Sequence, residues 1–430
     1  MKFIADFHIH SKYSRATSKD MDIENISKWA GIKGIDLIGT ADFTHPAWLE
    51  ELKGKLVEDG RGLLELRGIK TQSIASLRKP RYILSTEISC IYSQDGKTRK
   101  VHSLILAPSF SVVDKINSEL IKLGRLDYDG RPIFGISVVH LFELVMEASS
   151  DCMLIPCHAW TPHFAVFGSN SGFDSLEAAF GKYASQIYAI ETGMSSDPAM
   201  NWRLKSLDRI TLISNSDAHS PPKLGREATV FDCEMTYKDI TEAIKHKDKK
   251  KILYTIEFFP EEGKYHYDGH RKCKVCLSPK ETKKHALACP VCLKPVTVGV
   301  MHRVDYLADR EEGVVPKNAI PFKSIVPLPE IISEVLGAGP YSKKVQSAYF
   351  KMIKELGPEF KILLDLETQG IASPQNDDPL YVRVAEGIDR MRRGDIFISP
   401  GYDGEYGKVK VWPIDAERSR GTRDKQMGLF

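Results

Sequence analysis

Short runs of apolar, often β-branched residues recur through the first half of the chain, at residues 3–7, 35–39, 82–86, 101–107, 153–156, 187–190 and 210–213. Each run is mainly apolar rather than strictly alternating, the pattern of strands buried on both faces of a parallel sheet. Between several of them apolar residues return at helical spacing: Ile23, Ile26, Trp29 and Ala30; Val112, Ile116 and Leu120; Val138, Leu141, Phe142 and Val145. Seven strands alternating with helices over about 215 residues predict an α/β barrel rather than a sandwich. Residues 50–80, charged and Gly-containing, read as an insertion or helical excursion.

The pattern changes beyond Glu234. The run KHKDKKK at 245–251 reads as a solvated helix end, and 260–263 as a linker into a cysteine-rich stretch. From Pro316 the periodicity is helical again, at 328–336 and 342–356, where Val345, Tyr349, Met352 and Ile353 form one apolar face. The tail at 416–430 is charged and expected to be mobile except for its last five residues. These shifts divide the chain into a barrel over 1–240, a small module over 260–305 and a mainly helical C-terminal region over 306–430.

Composition adds three constraints. With 42% hydrophobic and 27% charged residues the chain is globular rather than disordered, and no uncharged run approaches the ~20 residues that span a bilayer. The first ten residues carry Asp6, His8 and His10, unlike a secretory signal. Eight cysteines in such a chain point to a reducing, cytoplasmic setting, where Cys means metal, catalysis or core. The net charge of +3 hides an asymmetry: residues 243–310 hold fifteen Lys/Arg against eight Asp/Glu, leaving the rest near −4. Cys273, Cys276, Cys289 and Cys292 fall in that same basic stretch, while Cys90, Cys152, Cys157 and Cys233 are scattered and read as core.

Nearly every strand run ends in a potential metal ligand. His8 and His10 follow the first, Asp42 and His45 the second, Glu87 the third, His158 the fifth, Glu191 the sixth, and Asp217 and His219 the seventh. His102 is the exception, early in its run. In an α/β barrel the carboxyl ends of parallel strands converge on one face, so these side chains would meet around one cavity. The mixed N/O set suits Zn, Mn, Mg or Fe and exceeds what one ion uses. Asp6, His45 and Glu191 also read as groups that hold imidazole tautomers. Sites of this kind activate water and neutralise a phosphate. No phosphate-binding glycine loop or nucleophile elbow competes.

The sequence His8-Ile9-His10-Ser11 after Asp6, Thr40-Ala41-Asp42, Glu87, His158 and Asp217-Ala218-His219 resembles the four motifs of the PHP (polymerase and histidinol phosphatase) superfamily over residues 1–235. The resemblance implies a distorted seven-stranded barrel, the (β/α)7 PHP form, and phosphoesterase chemistry in which His8, His10, Glu87, Asp217 and His219 are the catalytic set. It implies one metal on His8, His10, Glu87 and Asp217, another on Glu87, His102 and His158, and a third on His219 with Asp42 or His45. Ser14-Arg15-Ala16 and Ala41-Asp42-Phe43 depart from the superfamily pattern. Both departures bear on the third ion, so two or three are expected.

Cys273-x2-Cys276 and Cys289-x2-Cys292, twelve residues apart, predict one structural zinc on four thiolates. Lys272, Lys274 and further lysines make the unit basic, which suits a polyanion, although such units also bind proteins. The phrases at 265–271 (YHYDGHR) and 400–407 (PGYDGEYG) extend the resemblance, over essentially the whole chain, to a group of DNA repair nucleases of archaea and some bacteria. That resemblance implies incision immediately 5′ of uracil, hypoxanthine, xanthine and abasic sites, with damaged double- or single-stranded DNA as partner and a nucleoid-associated location. Reading a deaminated base calls for flipping it from the stack. Trp160, His163, Phe167, Ser169, Asn170 and Ser171, directly after His158, are candidate pocket residues, with Lys272 and Lys274 on the DNA. The same stretch reads equally well as an ordinary loop packed on the barrel, and 193–202 is a second candidate. The terminal Gln426-Met427-Gly428-Leu429-Phe430 is similar to the sliding-clamp-binding peptide of bacterial replication proteins, with Gln426, Leu429 and Phe430 as the contacts.

Two rival functions remain. A small-molecule phosphatase of the same superfamily does not account for the cysteine unit and the basic stretch. A non-catalytic DNA- or clamp-binding adaptor does not account for the near-complete ligand set.

Overall fold

The computed structural model describes residues 1–68, 78–372 and 378–413. Its strands are β1 (Lys2–Asp6), β2 (Leu37–Gly39), β3 (Leu56–Glu58), β4 (Leu64–Leu66), β5 (Arg81–Gln94), β6 (Lys97–Ala107), β7 (Ile133–Phe134), β8 (Met153–Pro156), β9 (Ala189–Glu191), β10 (Thr211–Ile213), β11 (Ala228–Asp232), β12 (Ile252–Glu257), β13 (Asp268–His270), β14 (Val275–Leu277), β15 (Phe322–Ser324), β16 (Phe397–Ser399) and β17 (Lys408–Lys410). Every apolar run read from the sequence overlaps one of them.

The first strands pair as expected, β1 parallel to β2 and β2 parallel to β5. The expectation of an all-parallel sheet fails at the next step: β5 and β6 form a long antiparallel hairpin, and β8 is antiparallel to β6. The cause is the turn Asp95-Gly96, whose two residues both have positive φ (53° and 72°). An Asp-Gly pair adopts the turn that joins twisted antiparallel strands. On the other side β11 pairs antiparallel to β1, and β12 to β11. The parallel pair β9–β10 spans the remaining gap. Ala159 N donates to Glu191 O at 2.9 Å, and Ser214 N to Thr229 Oγ1 at 3.0 Å. The result is a distorted barrel.

Alternate residues sort into two cores. Phe3, Ala5, Leu37, Ile83, Leu104, Ile155, Ile213 and Phe231 meet in one buried cluster. Ile4, Ile38, Leu84, Ile105 and Leu154 join the other, with the helices Ile23–Lys33, Phe110–Leu123 and Val138–Ala148. The stretch 50–80 begins as the end of helix Pro46–Lys55 and continues into the β3–β4 hairpin on the edge of β5; residues 69–77 lie outside the described residues.

The C-terminal helices Leu328–Leu336 and Lys343–Leu356 occupy the spans their periodicity predicts, and the buried residues of the second are Val345, Tyr349, Met352 and Ile353. They pack on the barrel through Trp29 and Phe350, and β15 adds a parallel strand to β12. The β16–β17 hairpin carries 400–407 back to the cysteine module. No helix among the described residues is long and apolar enough to cross a membrane.

Candidate metal centre

His8 and His10 leave the end of β1 two residues apart and so face the same side. The intervening Ile9 bridges to Ala218, and His10 N donates to Ala218 O at 3.0 Å, which brings Asp217 and His219 alongside. Four side chains then converge. His10 Nε2 lies 3.0 Å from Asp217 Oδ1 and 3.2 Å from Glu87 Oε2; His8 Nε2 lies 3.8 Å and 3.5 Å from the same oxygens.

A second group meets the other oxygen of Glu87. His102 Nδ1 is 2.6 Å and His158 Nε2 3.2 Å from Glu87 Oε1. The early position of His102 in its run has its cause in the hairpin. β6 runs against β5, so the beginning of the apolar run lies opposite Ser89, two residues past Glu87. Within each group the donor atoms lie within 4.8 Å of one another.

These residues fit divalent cations. His8 Nε2 and His102 Nδ1 are buried and make no hydrogen bond although carboxylate oxygens are close. The oxygens stand off the ring N–H directions, as they do when nitrogen and oxygen address a common centre. The imidazole and carboxylate set is one that Zn, Mn and Fe accept.

The polar groups behind the imidazoles set their orientation. Glu191 places both oxygens 3.0 Å from His8 Nδ1 and also accepts from His158 N (2.8 Å) and Asn215 Nδ2 (2.9 Å). Asp42 lies 3.3 Å from His10 Nδ1 and accepts from Ser11 N (2.7 Å), Ser11 Oγ (2.6 Å) and Ser14 Oγ (2.9 Å). A proton held at Nδ1 by each carboxylate leaves Nε2 free to coordinate. Both residues were expected among the ligands, Glu191 also as a group holding an imidazole tautomer; Asp42 stands behind His10, whereas Glu191 also converges with His8 and Cys157 in a third group of donors. His45 is stacked on Tyr13 at 4.4 Å, apart from both groups. The His219 ring lies tilted against that of His10, centroids 4.4 Å apart, its Nδ1 2.9 Å from Asp217 O. Among the described residues His219 forms no convergent group with Asp42 or His45.

Burial alone would lower the pKa of His8, but Glu191 and Glu87 outweigh it and hold it well above the usual imidazole range; Asp217, Asp42 and Glu87 do the same for His10. Burial would raise the carboxyl of Glu87, yet His102, Arg131 and His8 hold it well below its ordinary value. A cation bound at the first group would therefore compete with protons on His8 and His10. Ala41, Asp42, His158 and Asp217 all adopt positive φ (60°, 39°, 29° and 46°), a strained conformation for such residues that concentrates at functional sites. Gly130 faces this cradle: a Cβ there would strike Asp42 Oδ2 and Ser14 Oγ.

Sequence reasoning missed Arg131. Its Nη1 lies 3.1 Å from Glu87 Oε2, and it lines a cleft with Arg15, His102, His158, Thr161 and Met194. It sits on the turn Asp129-Gly130-Arg131 rather than at a strand end; the Asp-Gly signal was its only mark. The proposed pocket residues divide. The rings of Trp160 and Phe167 pack against each other, tilted, at 5.0 Å within the core, and Ser171 is buried. His163 faces the cleft, while Ser169 and Asn170 line a neighbouring one beside Arg99 and Arg303. Lys272 and Lys274 are exposed on the cysteine module. Gln426, Leu429 and Phe430 lie outside the described residues.

In the module the sulfurs of Cys273, Cys289 and Cys292 converge with a ring nitrogen of His270. Cys276, expected as the fourth thiolate, instead directs Sγ at Pro400 O, 4.0 Å away.

A distorted barrel with donor groups of this kind, joined to a metal-knuckle module and a helical region, defines a PHP-type protein. Residues 206–248 match the family described as PHP-associated, and residues 327–395 the MJ0043 C-terminal domain. The chain is 30% identical to the lesion-specific endonuclease PfuEndoQ from Pyrococcus furiosus, over 98% of this chain and 99% of that one, with a TM-score of 0.82. It belongs to the endonuclease Q family. A second solved structure, endonuclease Q with a 27-mer duplex substrate bearing an abasic lesion at the active site, is 30% identical over 97% and 100% of the two chains, with a TM-score of 0.80. The protein YqxK of Bacillus subtilis (strain 168) is 28% identical over 95% of this chain and 99% of its own. The protein MJ0043 of Methanocaldococcus jannaschii is 31% identical over 69% of this chain; the chain spans 36% of that relative's length.

Proposed function

We propose that the chain is a metal-dependent DNA repair endonuclease that hydrolyses the phosphodiester immediately 5′ of deaminated bases (uracil, hypoxanthine and xanthine) and of abasic sites. The observation that carries this reading is Glu87, which offers one oxygen to each of two donor groups beside an open, arginine-lined cleft. His8, His10, Glu87 and Asp217, and Glu87, His102 and His158, would hold two or three divalent ions (Zn, Mn, Mg or Fe), which would supply Lewis acidity toward a phosphate and lower the pKa of a water. The chain's own residues do the rest. Asp42 and Glu191 fix the tautomers of His10 and His8. Arg131, partly exposed beside Glu87, presents N–H groups to the phosphate oxygens. The basic, zinc-bearing module and the helical region grip the duplex backbone.

Duplexes carrying one uracil, hypoxanthine, xanthine or abasic site, incubated with Mg, Mn or Zn, should each be cut at the bond 5′ of the lesion, and undamaged duplex should not. Release of phosphate from a phosphomonoester with no incision of any duplex would replace this reading by a small-molecule phosphatase. Binding without cleavage in every metal would replace it by an adaptor.

The C-terminal Gln426, Leu429 and Phe430 fit a sliding clamp, which would hold the enzyme on DNA in the cytoplasm, at the nucleoid. Deleting residues 426–430 should abolish clamp binding in a pull-down and leave incision of a short duplex unchanged. Undiminished clamp binding would remove that partner.

A further inference from the structure

The stretch from His270 to Cys276 contains two overlapping pairs with the same spacing, His270–Cys273 and Cys273–Cys276, and only one of them can face Cys289–Cys292 across a tetrahedral ion. We infer that the module's zinc is held by His270, Cys273, Cys289 and Cys292, and that Cys276 is a metal-free thiol packed against residues 400–407.

Distance supports the first half. The four donor atoms lie within 4.8 Å of one another, and Cys292 Sγ is 3.5 Å from His270 Nδ1. A tetrahedral zinc with bonds of about 2.3 Å to sulfur and about 2.0 Å to nitrogen spaces such a pair by roughly 3.5 Å. Backbone conformation supports it independently. Lys274 and Leu293, the residues after Cys273 and Cys292, both turn left-handed, at φ 56° and 61°. The chain thus closes each x2 loop in the same way after its second ligand, which makes Cys273 the second member of its pair and His270 the first. Cys276 is followed by Leu277 in the extended β14.

Strand geometry supports the second half. Across the β13–β14 hairpin Cys276 stands directly opposite Gly269, and opposed residues share a face of the ribbon. That face is covered by Tyr402: a Cβ on Gly269 would run into its ring. Cys276 Sγ meets Pro400 O there, while His270, the next residue along β13, faces the other way. The segment 400–407 also holds the first metal loop from outside. Asp403 accepts from Arg271 N and from Thr297 Oγ1, both at 2.6 Å, and Gly401 O accepts from Tyr267 N at 3.0 Å. The Gly-Tyr-Asp-Gly phrase near the end of the chain is therefore a strap over the metal knuckle, and Cys276 is one of its contacts.

Zinc per chain, measured on the full-length protein, tests the assignment. Cys276→Ser should keep the wild-type stoichiometry and, after cobalt substitution, the wild-type thiolate-to-cobalt charge-transfer intensity. His270→Ala should lose one zinc per chain, and His270→Cys should regain it. Loss of one zinc in Cys276→Ser, or a charge-transfer band weaker by about a quarter, one thiolate of four, would overturn the inference. Should His270→Ala fail to fold, Cys276→Ser decides alone. None of these measurements reads incision, so they stand apart from the proposed activity.

Discussion

Glu87→Gln should reduce incision at least about 10³-fold, the scale lost when charge stabilisation at a reacting phosphate is removed. Glu87 is buried on β5, with Oε2 facing His8, His10 and Arg131 and Oε1 facing His102 and His158. Glutamine keeps the shape but removes the charge, and its amide presents N–H groups to one of the two donor groups. Four imidazoles and a guanidinium then surround a neutral side chain, and neither group keeps its shared anion. Asp217→Asn makes the instructive comparison, because Asp217 belongs to the first group alone. It too should abolish incision, yet it should leave the second group's metal in place, so Glu87→Gln should lose more barrel metal than Asp217→Asn. Duplex affinity, read by anisotropy, should change little in either variant, since on the proposed function phosphate contacts elsewhere on the surface would dominate it. Wild-type incision by either variant would remove the barrel from the reaction.

Glu87 also illustrates what the sequence discloses. Ligand types near strand ends are visible in one dimension because strands deliver the residues that follow them to the same rim; His8, His10, His158 and Asp217 follow β1, β8 and β10 in this way, whereas Glu87, read as the end of its apolar run, lies in the middle of the long β5. The division between ligand and support was not legible. Asp42 faces the Nδ1 of His10 rather than its Nε2, while Glu191, at the end of β9, faces the Nδ1 of His8 and also converges with Cys157 there. His102 looked misplaced because the Asp95-Gly96 turn was not used to pair its strand antiparallel. The loop after His158 is aromatic for packing as well as for any substrate: Trp160 and Phe167 pack together in the core while Phe164 lines the cleft. In the cysteine module the overlapping spacings from His270 to Cys276 cannot be resolved without the backbone conformation at Lys274.

The seam between barrel and C-terminal helices depends on one carboxylate, and Glu359→Ala should cost roughly 3–5 kcal/mol of stability. Lys33, in the last turn of helix Ile23–Lys33, places Nζ 2.6 Å from Glu359 Oε2, with both side chains almost fully buried (7% and 4% exposed). Tyr349 Oη donates to the same oxygen at 2.7 Å. Leu328 N donates to Oε1 at 3.1 Å, where Pro327 gives the helix no side-chain cap. A carboxylate at that point satisfies an N-terminal amide and favours the helix dipole. Truncation therefore strands a buried ammonium and orphans a backbone donor and a phenol at once. Removing both charges is different, because a buried pair gains little over apolar groups of similar volume. Lys33→Met combined with Glu359→Leu should thus recover much of what Glu359→Ala alone loses in urea unfolding. Incision at low temperature, where the single variant remains folded, should stay near wild type, since Glu359 contacts none of the barrel's donor groups. A Glu359→Ala protein within about 1 kcal/mol of wild type would mean that Lys33 finds water or another anion, and that the ion pair does not hold the seam.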